Sequence, residues 1–182
     1  MTQFLYLIFM AFVFTCPVLA DEGAIRARDL GIPFDGKTGP LNAITDVKGL
    51  TVGHETIIQD LENGLAVRTG VTAILPRGKD SNNTPVFGAS FALNGNGEMT
   101  GTAWLQESGM LEGPVLITNT HSVGAVHQAA IEWRGSPGDA DSSGYWWSLP
   151  VVAETWDGYL NDINGFHVKT EHAKAALENA KD

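Results

Sequence analysis

Basic residues are scarce in this chain. Lysine and arginine total 11 against 21 acidic residues, and with the histidines neutral the formal charge is -10 over 182 residues. That balance argues against a nucleic-acid partner, because neutralising phosphates needs clustered Lys and Arg. It argues equally against docking onto an anionic membrane. Cysteine is scarcer still, with Cys16 the single example. Cys16 lies in the leading apolar run, so removal of that run leaves no disulfide, no thiol nucleophile and no cysteine metal ligand. Zinc motifs are missing too. HExxH does not occur, and the spacings His121/His127 and His167/His172 do not put both rings on one helical face. Most of the five histidines read as surface or loop residues, and no metal is expected. Internal repeats and sustained heptads are also lacking.

Long apolar runs stop after MTQFLYLIFMAFVFTCPVLA. Its apolar stretch, Phe4 to Phe14, is too short to cross a bilayer comfortably. Val18 and Ala20 make a plausible small-residue cleavage site. The run has no Lys or Arg, leaving only the terminal amine as its positive charge, and Phe14-Thr15 before Cys16 fits a lipoprotein signal poorly. Residues 1–20 are expected to be a secretory signal peptide. Residues 21–182 are then a secreted, periplasmic domain with no membrane attachment after cleavage. That length suits one domain with a real core.

What is present reads as mixed α and β. Turn signals crowd residues 31–40, and Arg26 and Arg28 project to one side of an extended segment beside Asp29, as a surface ion pair would. Val47 to His54, Ala66 to Leu75, Pro85 to Leu93 and Gly113 to Asn119 read as strands. Asn94 to Gly97, NGNG, reads as a turn favouring positive φ; no Lys-Ser/Thr follows to make it a P-loop. A helix is expected inside Glu98–Leu111, ending at Gly109, and another over Ser122–Trp133 with Val123, Val126, Ala130 and Trp133 on one side. Thr170 is placed as the cap of a last helix. Its stripe of Ala173, Ala176, Leu177 and Ala180 requires a packing partner.

The stretch Val151–Val168, VVAETWDGYLNDINGFHV, is the natural place for a site. A buried strand delivers Glu154 into a loop rich in turn-formers and amides: Asp157, Gly158, Asn161, Asp162, Asn164 and Gly165. An ordinary strand and polar loop would read the same way. Paired carboxylates such as Glu154/Asp157 permit glycoside chemistry without singling it out. Thr120-His121-Ser122-Val123-Gly124 sits between a strand and a helix, as a serine nucleophile elbow would. Thr120 occupies the position where the crowded turn expects Gly. Thr120 or Ser122 serves as an N-cap on the alternative reading.

Several long segments occur in order: RARDLGIPFDG, GPLNAITDV, VRTGVTAILPRG, FALNGNGEMTG, LEGPVLITNTHSVG and LPVVAETWDGYLNDINGFHV. Together they resemble the DmpA-type family of L-aminopeptidase/D-esterases and β-aminopeptidases, from about Arg26 to the C-terminus. The resemblance implies an αββα sandwich, similar to Ntn hydrolases in architecture but not in connectivity, and incomplete in this chain. It also implies a precursor that cleaves itself at a Gly-Ser bond. The Ser so freed attacks the substrate, with its own α-amine as base.

The family's Gly-rich segment, its oxyanion Asn and the Gly-Ser site would lie beyond Asp182. The chain thus resembles most of an α-subunit, with no catalytic nucleophile, and is expected to be inactive alone. Implied partners are the missing β-subunit portion, a homo-oligomer of αβ units, and a small peptide, amide or ester substrate. By the same resemblance Glu154 matches the acid that holds the substrate's free amino group. Trp156 stands where some members carry a Tyr that helps stabilise the oxyanion, so it is carried over as a pocket residue with a weak oxyanion-side role. Asn161 is carried over as substrate-binding. The rivals are a serine hydrolase acting through Ser122 and a periplasmic binding protein without catalysis.

Overall fold

The computed structural model describes residues 25–62, 64–135 and 142–182. The expected signal peptide, residues 1–20, and Cys16 lie outside them. The chain divides into two compact units, Met1–Lys37 and Thr38–Asp182. In the first, the described residues form turns tied by local bonds. The Arg26 backbone N–H donates to Asp29 at 2.9 Å. The Arg28 guanidinium lies 5.0 Å from the Phe34 ring centroid and donates to the Phe34 carbonyl. Arg28 is therefore a cation–π partner.

The second unit is built on a four-stranded sheet of order β1-β2-β5-β6. Its strands are β1 (Thr51–Asp60), β2 (Ala66–Lys79), β5 (Val115–Asn119) and β6 (Val151–Thr155). A two-stranded piece pairs β3 (Val86–Phe87) with β4 (Met110–Leu111). Helix α1 spans Thr102–Ser108, α2 Val123–Arg134 and α3 Thr170–Glu178. β1 and β2 form an antiparallel hairpin, β5 joins β2 antiparallel, and β6 lies parallel to β5. A parallel neighbour needs a crossover longer than a tight turn, and α2 is that crossover.

Alternation along the strands sorts the side chains into two faces. Val71, Ala73, Leu75, Leu116 and Val152 lie on one, buried with Val123, Val126, Ala129 and Ala130 of α2 and Ala173, Ala176 and Leu177 of α3. The expected apolar stripes of both helices are thus covered by the sheet and by each other. The opposite face carries Val52, Ile74, Val115 and Ile117, all half-buried and placed together by the strand register. The described residues thus form one four-stranded sheet with a two-helix layer on one face, and a separate two-stranded sheet.

Polar ties reinforce the helix layer. Lys174 of α3 pairs with Glu132 of α2 at 2.6 Å. Glu178 of α3 accepts from the Trp133 indole at 3.1 Å and pairs with Lys79 at the end of β2 at 3.1 Å. Hydrogen bonds from Lys174 and Gln128 hold the Glu132 carboxyl below its ordinary value of 4.5. Lys79 and then Trp133 do the same for Glu178.

Several expected boundaries shift. β1 begins at Thr51 because Ile44–Asp46 forms a 3-10 turn and Gly49 takes a positive φ of 87°. It runs on to Asp60 because every residue from Thr51 onward pairs with β2. The expected strand Pro85–Leu93 shortens to Val86–Phe87; Phe91 and Leu93 are 89% and 88% exposed. Beyond Phe87 no strand among the described residues pairs with that segment. Gly109 ends α1 with φ 67°, as expected. Lys169, not Thr170, occupies the capping position of α3, and its N–H donates to His172 Nδ1 at 2.9 Å. After α3, Lys181 exchanges both backbone hydrogen bonds with Val52, at 2.9 and 3.1 Å.

Two outcomes follow. A methyl at Gly53 would strike the Ala176 carbonyl oxygen of α3. Gly53→Ala is expected to lower stability by about 1–3 kcal/mol in urea unfolding, as overpacking does. Because Glu132 and Glu178 titrate lower in the folded chain than when unfolded, their stabilisation is complete above the unfolded value of 4.5. It is lost as pH falls through the folded values. A Lys79→Met, Lys174→Met double variant should therefore show a smaller drop in Tm between pH 5 and pH 3, within about that acid range.

Candidate active site

The parallel pair β5–β6 ends with its carboxyl termini side by side, where ligand sites of α/β sheets are commonly built. Register aligns Thr118 with Glu154 and Asn119 with Thr155. Glu154 comes two residues after the fully buried Val152, so it leaves the core on the same face, just past its end. The residue after β5, Thr120, opens a 3-10 turn (Thr120–Ser122) that leads into α2. Its hydroxyl donates to Glu154 Oε2 in a short hydrogen bond.

The other side of β6 is not left bare. Residues 98–100 lie antiparallel along it through a Met99–Ala153 bridge. The Glu154 N–H donates to the Glu98 carbonyl at 3.2 Å, and the Thr100 N–H to the Val152 carbonyl at 3.0 Å. The Thr100 hydroxyl donates to the Pro150 carbonyl at 2.7 Å and accepts the Val152 N–H at 2.9 Å. This clamp carries the NGNG turn to the carboxylate. The turn is closed by the Asn96 N–H donating to the Asn94 side-chain oxygen at 2.8 Å. Neither Gly95 nor Gly97 takes positive φ. What Gly97 contributes is close approach, since a methyl there would sit 3.0 Å from Glu154 Oε1.

Glu154 and this turn border a cavity of about 370 Å³. Ser90, Phe91, Ala92, Met99, Thr102, Gln106 and Ala153 complete most of its wall. Two carboxylates, Glu98 and Glu154, are among the lining residues, and no Lys, Arg or His is. A space walled in this way suits a cation with an apolar body attached.

The remaining expected residues fall elsewhere. Trp156 is 65% exposed, its ring folded against Gly158, and it is not among the cavity's lining residues. Asn161 is buried at 6% exposure; its oxygen accepts the Arg68 backbone N–H at 3.0 Å and its amide donates to Asp157 at 3.1 Å. It ties the loop after β6 to β2. Ser122 is 2% exposed, and its hydroxyl has no hydrogen-bond partner among the described residues. A nucleophile needs both a base within reach and access to substrate, and Ser122 has neither here. It stands at the capping position of α2 without a side-chain cap bond, because the preceding 3-10 turn already gives it helical backbone.

The histidines disperse. His54 contacts Thr72, His121 stacks on Phe166 with centroids 5.5 Å apart, and His167 pairs with Asp162 at 3.0 Å. Thr120 and the segment Gly97–Thr100 are the site residues that sequence reasoning missed. The only signal was their place inside the NTHSVG and NGNGEMTG segments.

Comparison with known proteins bears directly on this geometry. The chain is 57% identical over 159 residues to a β-peptidyl aminopeptidase of Sphingosinicella microcystinivorans, a match covering 85% of this chain and 39% of that protein. A namesake from Sphingosinicella xenopeptidilytica is 42% identical, over 94% of this chain and 43% of the other. The chain thus spans about two fifths of the curated relatives it matches. Among solved structures, the L-aminopeptidase D-Ala-esterase/amidase of Ochrobactrum anthropi, a variant of the Ntn hydrolase fold, superimposes with a TM-score of 0.78 at 48% identity. It covers 87% of this chain and 45% of that one. A Burkholderia β-aminopeptidase superimposes with a TM-score of 0.76 at 45% identity, over 86% of this chain and 43% of that one. The fold is therefore an α/β arrangement of Ntn-hydrolase type. The sequence profile of peptidase family S58 runs from residue 42 to residue 182, through the sheet, the clamp and Glu154, and the chain belongs to that family.

Proposed function

We propose that this chain is the substrate-recognising portion of a secreted, self-processing serine aminopeptidase that removes N-terminal residues from short peptides, amides and esters. The observation that carries the reading is Glu154. It is a carboxylate at the carboxyl end of β6, fixed by Thr120, in the wall of a cavity whose lining residues include no cation. An aminopeptidase must select a free ammonium, and a charge-assisted hydrogen bond to a fixed carboxylate does so. The names of the relatives support peptide substrates that begin with a β-amino acid.

In the proposed reaction the nucleophile is an N-terminal Ser freed by self-cleavage in a β-portion that joins this chain. Its Oγ attacks the scissile carbonyl while its own α-amine takes the proton and passes it to the leaving amine; water then releases the acyl group. The role of this chain is to hold the substrate ammonium on Glu154 and so place the carbonyl within reach. Trp156, exposed just past the end of β6 and outside the cavity wall, is left for the part of the substrate that extends beyond that wall, and Asn161 keeps that loop on β2. The chain alone is inactive on this reading, the active assembly is an oligomer of αβ units, and no cofactor takes part.

Glu154→Gln in the processed enzyme is the test. Self-cleavage should persist, while kcat/KM for free-amine substrates falls about 10- to 100-fold, the worth of a hydrogen bond to a charged group. The loss should appear mainly in KM. Unchanged preference for free over N-acetylated substrates would refute the role. Ser122→Ala separates the serine-hydrolase rival: activity should be retained, and stability should be unchanged or higher by about 1 kcal/mol, since an unpaired buried hydroxyl is removed.

A further inference from the structure

We infer that Thr120 is a positioning residue for substrate recognition, and that with Gly97 it dictates which oxygen of Glu154 meets the ammonium. The inference rests on the reading of Glu154 given above and adds to it a division of labour within the carboxylate. Oε2 accepts the Thr120 hydroxyl. Oε1 is the oxygen beside Gly97 at the cavity wall, where a methyl would come to 3.0 Å.

A glutamate on a strand end has three side-chain torsions to fix, and each costs free energy to order when substrate binds. Here the protein has already fixed them. The hydroxyl anchors one oxygen, the bare backbone of Gly97 flanks the other, and the main chain of Glu154 is held on Glu98. Thr120 is well suited to the task because its own place is set from both sides. Asn119 before it pairs with Thr155 in the β5–β6 ladder, and Ser122 and Val123 after it are buried at the start of α2. A β-branched residue is also restricted about χ1, which narrows the directions its hydroxyl can take.

Competitive inhibition of the processed enzyme tests this without needing the probe to turn over. The probe is 3-aminopropan-1-ol, a primary ammonium with no carboxylate and no scissile acyl group; its N-acetyl derivative is the control. Thr120→Val, which keeps shape and removes the hydroxyl, should weaken binding of the probe about tenfold, as loss of a hydrogen bond to a charged group does. Thr120→Ser, which keeps the hydroxyl, should stay within about twofold of the unaltered enzyme. Equal binding by Thr120→Val and the unaltered enzyme overturns the inference. So does equal weakening by Val and Ser, which would mean that any change at this position disturbs the strand end whether or not the hydroxyl is kept. Thr120→Ala takes the place of the valine variant should that variant not fold.

Failure of the unaltered enzyme to prefer the probe over its acetylated control strikes the ammonium role of Glu154 itself. The Thr120 contact is then decided by crystal structures of the variants. A Glu154 carboxylate held in Thr120→Ser and released in Thr120→Val sustains the positioning role, and one held in both overturns it.

Discussion

The parallel register of β5 and β6 is the constraint on which the site depends. It fixes Val152 against the helix layer and, two residues later, brings Glu154 level with Thr118 and within reach of Thr120. A slip of one residue would turn Glu154 to the opposite face and Val152 out of the core together. The register is therefore protected by burial: Leu116 and Val152 are both fully enclosed. Apolar packing deep in the sheet thus sets the position of a polar group at its edge. The crossover helix α2 closes the loop of dependence, since it both covers that packing and begins at the turn bearing Thr120.

The clamp along β6 is the second half of this arrangement. An edge strand exposes a row of backbone donors and acceptors, and here residues 98–100 satisfy them in place of a full strand. Thr100 uses its hydroxyl twice, toward Pro150 and Val152, so the segment is held without extended pairing. The cavity wall and the Glu154 carboxylate are consequently parts of one hydrogen-bonded unit.

Much of the fold was legible in the sequence where patterns are local. The stripes of α2 and α3 and the apolar run of β5 mark buried surfaces, and Gly109 marks the end of α1, because periodicity and glycine conformation act over a few residues. Glu154 was legible as a carboxylate issuing from a buried strand. The errors occur where distant partners decide. His54 to Asp60 alternates poorly yet is strand because β2 lies alongside it. Pro85 to Leu93 has strand composition, yet only two residues find a partner. Thr120, read as part of a cap or elbow, turns outward to a residue 34 positions away. Asn161 shows the converse: an amide in a promising loop is occupied in holding that loop.

The bridge between Lys181 and Val52 marks how differently the two borders of the sheet are finished. Along β6 the clamp covers the border, whereas along β1 the described residues bridge backbone to backbone at Val52; side chains of Asn179 and Arg68 reach the His54 and Gln59 carbonyls, and Ile58 between them is 73% exposed. Such a border is a template for another chain's backbone, and natural sheets guard it with charge. Glu55 and Asp60 lie on it, and the whole chain carries -10. Long-range repulsion between copies is then the barrier to edge-to-edge growth, and its range contracts as ionic strength rises. Among the described residues, the β1 border is thus a place where the salt around the protein sets how readily two copies pair.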